Sequence, residues 1–288
     1  MIRILIIIYL SLCCYTFSFA QHPDTSKSLL WKISNAEMKK PSYLFGTIHM
    51  ICPEDYLWTP KMQQSFESAD EVCFEMDMDD PMLMMTIARG MMSNNHKELK
   101  DYFTTEQYKK IEQYIRDSIN MDISMFSQLK PSALQTVFAT KIAGCPSPLT
   151  YELVLTEEAK KHKKEISGLE EAYEQIELLN NMPTDSIVYG LIDMIDNDSN
   201  TKAEFQAMVS VYKNQDINLL LDIIRLSKDM SSIMTMFLDD RNIKWIERMI
   251  EKMDQSSVFF AVGAGHLPGQ NGIISLLRNA GYRVEAIK

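Results

Sequence analysis

The sequence lacks several features that would place it in a specialised class of protein. After residue 20 it has no apolar run approaching the roughly 20 residues that span a bilayer, and no linker rich in proline or glycine divides it. Positive charge is also scarce, since 29 lysines and arginines against 39 acidic residues give a net charge of −10. An acidic chain of this kind is not suited to binding a nucleic-acid backbone. With 46% hydrophobic residues, its 288 residues predict one large globular domain.

Common catalytic motifs are absent as well. The sequence contains no His-Glu-x-x-His zinc motif and no Gly-x-Ser-x-Gly elbow. It also has no phosphate-binding P-loop and no Gly-x-Gly-x-x-Gly fingerprint. The usual routes to zinc peptidases, serine hydrolases and nucleotide-binding enzymes therefore have no support.

The first 20 residues have the layout of a secretory signal peptide. A basic start at Arg3 is followed by an apolar stretch over residues 4–12 and a small-x-small end at Ser18-Phe19-Ala20. We predict cleavage before Gln21, export to the periplasm or the exterior, and a single domain over residues 21–288. A retained membrane anchor is the alternative, but the apolar stretch is shorter than a bilayer span requires.

Only five cysteines are present, and Cys13 and Cys14 would leave with the signal peptide. A lipid anchor at Cys13 is disfavoured, because a bulky leucine precedes it. The mature chain keeps Cys52, Cys73 and Cys145, of which two can form a disulfide in an oxidising compartment. Cys52 follows one predicted strand and Cys73 lies in the next, so this is the geometrically plausible pair, although the odd count leaves the pairing open.

Apolar runs rich in aromatic and β-branched residues lie towards the two ends of the chain, and the middle shows helical periodicity. This pattern predicts an α/β fold, in which both chain ends build a central mixed sheet that carries a large helical insertion. The predicted strands cover residues 29–33, 43–47, 71–76, 165–168, 258–262 and 283–287. The first two are expected to form a hairpin. The predicted helices include residues 104–118, 131–142, 151–162, 201–213, 217–227 and 233–252.

Methionine is abundant, with 21 residues, and seven of them crowd into positions 76–92. These are Met76, Met78, Met82, Met84, Met85, Met91 and Met92. We interpret them as gap-filling side chains of a helical core, since the methionine side chain adapts to irregular spaces. The alternative is a deformable groove that accepts substrate.

Two of the five histidines follow the same pattern. Residues 43–45 run into Gly46-Thr47-Ile48-His49, and residues 258–262 run into Gly263-Ala264-Gly265-His266. A glycine at the end of a strand permits a close turn and unusual dihedral angles. Each histidine then lies at the carboxyl edge of the sheet, where open α/β sheets bind ligands. We predict that both histidines belong to one site. The alternative is that they are core or turn histidines satisfied by the backbone, as we expect for His22, His96 and His162.

Two carboxylates accompany these histidines at strand ends. Glu75 interrupts an apolar strand, and a buried ionised carboxylate without a partner costs several kcal/mol, so it is expected to meet a cation, a metal or several donors. Glu170 lies at the edge of the sheet, just after the predicted strand 165–168, where capping the next helix is an equally good interpretation. Two imidazoles and a carboxylate are a common ligand set for a divalent transition metal. This set predicts metal-assisted hydrolysis, in which a second carboxylate handles the proton.

The chain resembles the TraB/GumN family, which includes the animal Tiki proteins, over nearly its whole mature length. The resemblance rests on separate blocks in the same order along the chain. They are Leu44-Phe45-Gly46-Thr47-Ile48-His49, Glu75, Gly168-Leu169-Glu170 with Gln175, Arg241-Asn242 with Trp245, and Val262-Gly263-Ala264-Gly265-His266-Leu267 with Gly269 and Gly281-Tyr282. The family resemblance implies an α/β fold in which both histidines and the strand glutamate meet in one cleft.

The resemblance also implies roles for individual residues. It implies that His49, Glu75 and His266 bind one divalent metal, Mn, Co or Zn, and that Glu75, Glu170 and Arg241 are catalytic. Arg241 would stabilise developing negative charge or hold Glu170. A salt bridge from Arg241 to an acidic neighbour such as Asp239 is the alternative.

Tiki proteins are regarded as metal-dependent proteases that prefer manganese or cobalt, and more distant relatives include erythromycin esterase-like hydrolases and haem-binding lipoproteins. The resemblance thus implies an exported metal-dependent hydrolase acting on a peptide or protein substrate. The alternative is a non-catalytic binding or signalling module that uses the same cleft for haem, a metal or a peptide.

Overall fold

The computed structural model describes residues 27–93, 97–226 and 235–288. The predicted signal peptide and its cleavage site lie outside these ranges, as do His22 and His96. Within the described ranges, every helix is too short or too polar to cross a membrane.

One mixed sheet contains all six strands found in the described residues. The strands are β1 (Leu30–Ser34), β2 (Ser42–Thr47), β3 (Glu71–Met76), β4 (Glu165–Glu170), β5 (Val258–Gly263) and β6 (Arg283–Ala286). Their order across the sheet is β4-β3-β5-β2-β1-β6. Strands β4, β3, β5 and β2 are parallel, and β1 runs antiparallel to both β2 and β6. Because β1 and β6 pair, the first and last strands of the described residues lie in one sheet, which confirms the predicted fold class.

The inner strands form because they can be buried on both faces. The side chains of β3 and β5 are almost all buried, as expected for near-continuous apolar runs in a parallel sheet. The predicted hairpin is confirmed, with Trp31 opposite Leu44. All six predicted strands are present, each within two residues of its predicted bounds.

Helices make up most of the remaining described chain. They are α1 (Pro60–Ser68), α2 (Leu83–Met91), α3 (Thr105–Tyr114), α4 (Pro131–Ile142), α5 (Tyr151–Lys161), α6 (Ala172–Asn181), α7 (Thr184–Asp196), α8 (Asp198–Lys213), α9 (Ile217–Leu226), α10 (Asp240–Gln255) and α11 (Ile273–Asn279). Short π-helical segments follow α3 and precede α10, within the ranges predicted as continuous helix. Helices α3, α4 and α7 share a hydrophobic core of their own, which includes Ile111, Leu134, Phe138 and Leu191. The predicted helical insertion is therefore confirmed.

The disulfide is not the pair that is geometrically plausible from the sequence, which leaves the pairing open. Cys52 bonds to Cys145, and Cys73 is a free, buried thiol. Cys73 lies in the middle of β3 with its side chain packed into the sheet core. The segment after β2 instead pairs with the helical insertion through a bridge between Ile51 and Leu149, which brings Cys145 to Cys52.

Four of the seven methionines in residues 76–92 do not fill a helical core. Met82, Met84, Met85 and Met92 are 43% to 74% exposed, so the core interpretation is wrong for these four. They lie on and beside α2, which packs on α6. The packing is close, because a Cβ atom at Gly90 of α2 would overlap the side chain of Ile176 of α6. The fold thus leaves an adaptable apolar surface close to the end of β3.

Candidate active site

The two Gly-x-x-His motifs meet at neighbouring strand ends, because β2 and β5 pair in parallel with Thr47 opposite Gly263. A Cβ atom on Gly263 would lie 3.2 Å from Glu75 Oε1 and 3.5 Å from His266 Cδ2. His49 Nε2 would be 3.9 Å from the same Cβ position. The structure therefore brings His49, Glu75 and His266 around one small space.

The two motif glycines provide room rather than unusual dihedral angles. Gly263 has a φ of −51°, and Gly46 is not in the left-handed region. A Cβ atom on Gly46 would lie 3.0 Å from both Cα and Cβ of Ala264. Neither glycine uses the left-handed conformation that glycine permits, but the close turn is present, since Gly46 lets the end of β2 touch the turn after β5.

His266 is buried, and Asn242 determines which of its ring nitrogens carries the proton. The Asn242 amide donates to the carbonyls of His266 (3.2 Å) and Asn271 (2.8 Å), so its Oδ1 accepts from His266 Nδ1 at 2.6 Å. The lone pair of the neutral ring is then on Nε2, where Arg241 Nη1 donates at 3.2 Å. Burial lowers the pKa of His266 to about 3, so the ring is neutral near pH 7.

Arg241 is the buried cation of the site, and all five of its N–H donors have partners. Nη2 donates to Glu75 Oε2 (2.6 Å) and to Glu170 Oε1 (2.5 Å), and Nε donates to Glu170 Oε2 (3.2 Å). Nη1 donates to the Phe237 carbonyl (3.1 Å) and to His266. This network holds both carboxylates in fixed positions beside the imidazole.

Glu170 does not cap the helix that follows it. The N-cap position of α6 belongs to Glu171, and Glu170 points into the core, where it accepts from Trp245 Nε1 at 3.1 Å and from Arg241. The alternative pairing of Arg241 with Asp239 is also wrong, because Asp239 accepts from an asparagine side chain instead. Of the interpretations left open by the sequence, the structure shows Arg241 holding Glu170.

Glu75 is buried, and each of its oxygens accepts hydrogen bonds. Oε1 accepts from the Gly263 N–H at 2.8 Å, and Oε2 accepts from Arg241 and from Gln175 Nε2 at 3.2 Å. Burial alone would raise the pKa of Glu75, but His266, Arg241, His49 and the Gly263 amide outweigh burial and lower the pKa to about 2. The carboxylate is therefore ionised, with the cation and donors expected for a buried acid.

His49 lies at the open side of the site, with 75% of its side chain exposed. Its Nδ1 is 3.5 Å from Glu152 Oε1, and the Thr47 hydroxyl donates to the same oxygen at 2.9 Å. The Glu152 carboxylate raises the pKa of His49. Sequence reasoning missed Glu152, because an acidic residue in the first turn of a helix is ordinary at the sequence level.

The site carries an excess of negative charge. Glu75, Glu152 and Glu170 surround it, and Arg241 is the one lysine or arginine that pairs with them in the described part of the chain. His266 is neutral, but the raised pKa of His49 keeps that imidazole protonated near pH 7, so one negative charge remains uncompensated, which favours the binding of a further cation. Among the described residues, no three histidine, cysteine or acidic side chains already stand in metal-binding positions.

Acidification is expected to destabilise the protein through His266. Its pKa is about 3 when folded against 6.5 as a model value, so the unfolded state binds the proton more strongly between these values. Stability from this residue is therefore present above pH 6.5 and is lost as the pH falls towards 3. Urea unfolding between pH 7.5 and 4.5 measures the effect.

The control for this pH effect is His266→Gln. The raised pKa of His49 stabilises the folded protein on acidification, but it does so in both proteins, so the difference between them reports His266. The wild type should lose more stability than the variant on acidification. Parallel pH curves for the two proteins would contradict the neutral, buried state of His266.

Comparison with known proteins identifies the family. Residues 29–286 match the TraB/PrgY/gumN family. The chain belongs to this family. Relatives include "Metalloprotease TIKI1" of Danio rerio, 22% identical over 90% of this chain and 63% of the relative, and "Metalloprotease TIKI1" of Homo sapiens, 22% identical over 90% and 61%. "Metalloprotease TIKI homolog" of Nematostella vectensis is 24% identical over 91% of this chain and 67% of the relative.

The similarity to these relatives is partial in length. The chain spans about three-fifths of the length of the TIKI1 and TIKI2 proteins that it matches. No solved structure matches the chain significantly. The family membership thus rests on the sequence match over nearly all of the described residues.

Proposed function

We propose that this member of the TraB/PrgY/gumN family is an exported metal-dependent hydrolase that cleaves peptide bonds. His49, Glu75 and His266 would bind one divalent cation, Mn, Co or Zn. The observation that carries the proposal is that these side chains face one space beside Gly263. The relatives named metalloproteases support the reaction class.

The donor atoms have the chemistry that a divalent cation requires. Nε2 of His266 carries a lone pair because Nδ1 donates to Asn242, Glu75 is ionised, and Nε2 of His49 faces the same space. The excess negative charge of the site favours a cation in addition to Arg241. Binding would require the His266 imidazole to exchange its contact with Arg241 for the metal.

A divalent cation held here would supply Lewis acidity and lower the pKa of water. Arg241 would stabilise negative charge on the scissile group through its positive charge, because all five of its N–H donors already have partners that fix its position. Glu75 Oε1 faces the space beside Gly263, so Glu75 would contact the cation directly. Glu170 is 4% exposed in its side chain, so we assign it a role in holding Arg241.

The surface on and beside α2 supports a peptide substrate. Met82, Met84 and Met85 are exposed there, and Tyr173 of the adjoining α6 is 58% exposed. Methionine side chains adapt to apolar partners of varied shape, which suits an extended peptide of variable sequence. We propose that this surface forms one wall of the substrate cleft.

The proposed function is tested by metal analysis of protein purified without chelator, followed by cleavage of a peptide library. Wild type should contain stoichiometric metal, and His49→Ala should reduce cleavage by more than about 100-fold. The reason is that loss of even a hydrogen-bond partner of a metal ligand typically reduces metal affinity or activity about 10–100-fold. His162→Ala is the matched control, because His162 is also exposed but lies at the end of α5 beside Glu158. Equal cleavage by wild type and His49→Ala would refute the proposal.

One observation favours the alternative of a non-catalytic binding module. The lone pair of His266 Nε2 already accepts from Arg241, so this nitrogen has a partner without a metal. Stoichiometric binding of haem, metal or peptide without turnover would establish this alternative.

A further inference from the structure

We propose that Glu152 is a positioning residue that orients the ring of His49, so that Nε2 faces the space beside Gly263. The inference concerns a residue outside the proposed metal ligands and the proposed catalytic residues. Its consequence for metal affinity rests on the proposed function, but its consequence for the orientation of the ring does not.

The contacts of His49 place its two ring nitrogens in different surroundings. Nδ1 is 3.5 Å from Glu152 Oε1, whereas Nε2 is 3.9 Å from the Cβ position of residue 263. An acceptor beside Nδ1 favours the ring orientation in which Nδ1 faces Glu152 and Nε2 faces the space beside Gly263. Because His49 is largely exposed, packing alone does not hold the ring in this orientation.

Glu152 is itself held in place. The hydroxyl of Thr47 donates to Glu152 Oε1 at 2.9 Å, and Thr47 is only 1% exposed. Thr47 is the last residue of β2, two positions before His49. The strand that delivers the histidine therefore also fixes the carboxylate that the histidine contacts.

The backbone around this pair is cross-linked at three points. Ile51 and Leu149 exchange backbone hydrogen bonds of 3.0 and 2.8 Å, and a disulfide joins the neighbouring Cys52 to Cys145. The hydroxyl of the buried Tyr151 both accepts from the N–H of Leu57 and donates to its carbonyl. The loop after His49 is thus fixed to the start of the helix that carries Glu152.

This arrangement matches a general feature of metal sites. A ligating histidine usually donates its other ring N–H to a carboxylate or carbonyl, and loss of that partner typically reduces metal affinity 10–100-fold. His266 has a neutral amide, Asn242, in the equivalent position. The geometry gives His49 a charged partner and His266 an uncharged one.

The test compares Glu152→Leu, which removes the acceptor, with Glu152→Gln, which keeps one. Histidine-selective ¹⁵N NMR of the metal-free protein, recorded above the pKa of about 9 that Glu152 gives His49, reports whether the proton of the neutral ring is on Nδ1, and calorimetry reports the affinity for Mn²⁺. We expect Glu152→Leu to lose the preference for a protonated Nδ1 and to weaken Mn²⁺ binding about 10–100-fold. Glu152→Gln should recover most of both properties.

Glu157→Leu is the matched control, because Glu157 is an exposed acid on the same helix, 3.8 Å from Lys160. It should leave both readouts unchanged. Should Glu152→Leu fail to fold, Thr47→Val removes the hydroxyl that holds the carboxylate and should produce the same changes to a smaller extent. The positioning role is wrong if the protonation of Nδ1 is the same in wild type and in the acceptor-free variant.

The two readouts also separate this inference from the proposed function. A wild type that binds no Mn²⁺ or other divalent metal would refute the proposed metal centre. The NMR result would still decide whether Glu152 orients His49, because it is recorded without metal.

Discussion

Arg241→Met is expected to lower the free energy of unfolding by about 3–5 kcal/mol, because it leaves Glu75 and Glu170 buried without their cation. Both carboxylates accept from the same Nη2 atom, and the guanidinium is almost fully buried. Methionine replaces much of the side-chain volume but none of the charge. Urea denaturation at neutral pH measures the loss.

Arg248→Met is the matched control for this substitution. Arg248 lies two turns further along the same helix and pairs with Glu174, but its side chain is 39% exposed. An ion pair at the surface contributes only about 0–1 kcal/mol, so this variant should remain close to wild type. Equal losses in the two variants would show that the buried carboxylates do not depend on Arg241.

Gly263→Ala is expected to abolish cation binding and cleavage while the protein stays folded. The added Cβ would occupy the space between the proposed ligands, 3.2 Å from Glu75 Oε1 and 3.9 Å from His49 Nε2. A φ of −51° suits alanine, and the crowding should cost only about 1–3 kcal/mol of stability. Calorimetry with Mn²⁺ should show affinity reduced by at least about 100-fold, more than the loss of a ligand's partner causes.

Gly190→Ala provides the comparison, since a Cβ atom at Gly190 would meet no other atom within 4 Å. This variant should bind Mn²⁺ as wild type does. If Gly263→Ala keeps wild-type affinity, the space beside Gly263 is not the binding site, and the proposed ligand set fails with it.

The sheet could be predicted because its strands carry their own signal. Strands β3 and β5 are short apolar runs buried on both faces, so local composition alone marks them. The order of the strands could not be read in the same way. It depends on long-range pairing, such as that of Tyr43 with Phe259, which leaves no local pattern.

For the candidate site, the sequence indicated the residues that interrupt apolar strands or follow them. His49, His266 and Glu75 stand out for this reason. Glu152 does not, because it contacts His49 only through the folding of the helical insertion onto the end of β2.

Two of the interpretations that the structure did not bear out have physical causes of their own. Proximity along the chain favoured Cys52 with Cys73, but strand β3 buries Cys73 in the core, and the loop after β2 pairs with the insertion. Hydrophobicity favoured buried methionines after β3, but composition alone does not distinguish a core-filling methionine from one left at the surface of a helix such as α2.

The parallel pairing of β2 with β5 has a consequence for how the protein acquires its site. Ser42 Oγ accepts from the N–H of Val258, which lies 216 positions later. The end of β2 that leads to His49 therefore reaches its final position only when β5 is available to pair with it. Contacts this distant in sequence slow folding, because a very large loop must close before they form. A polypeptide ending before residue 266 would lack one of the three proposed metal ligands.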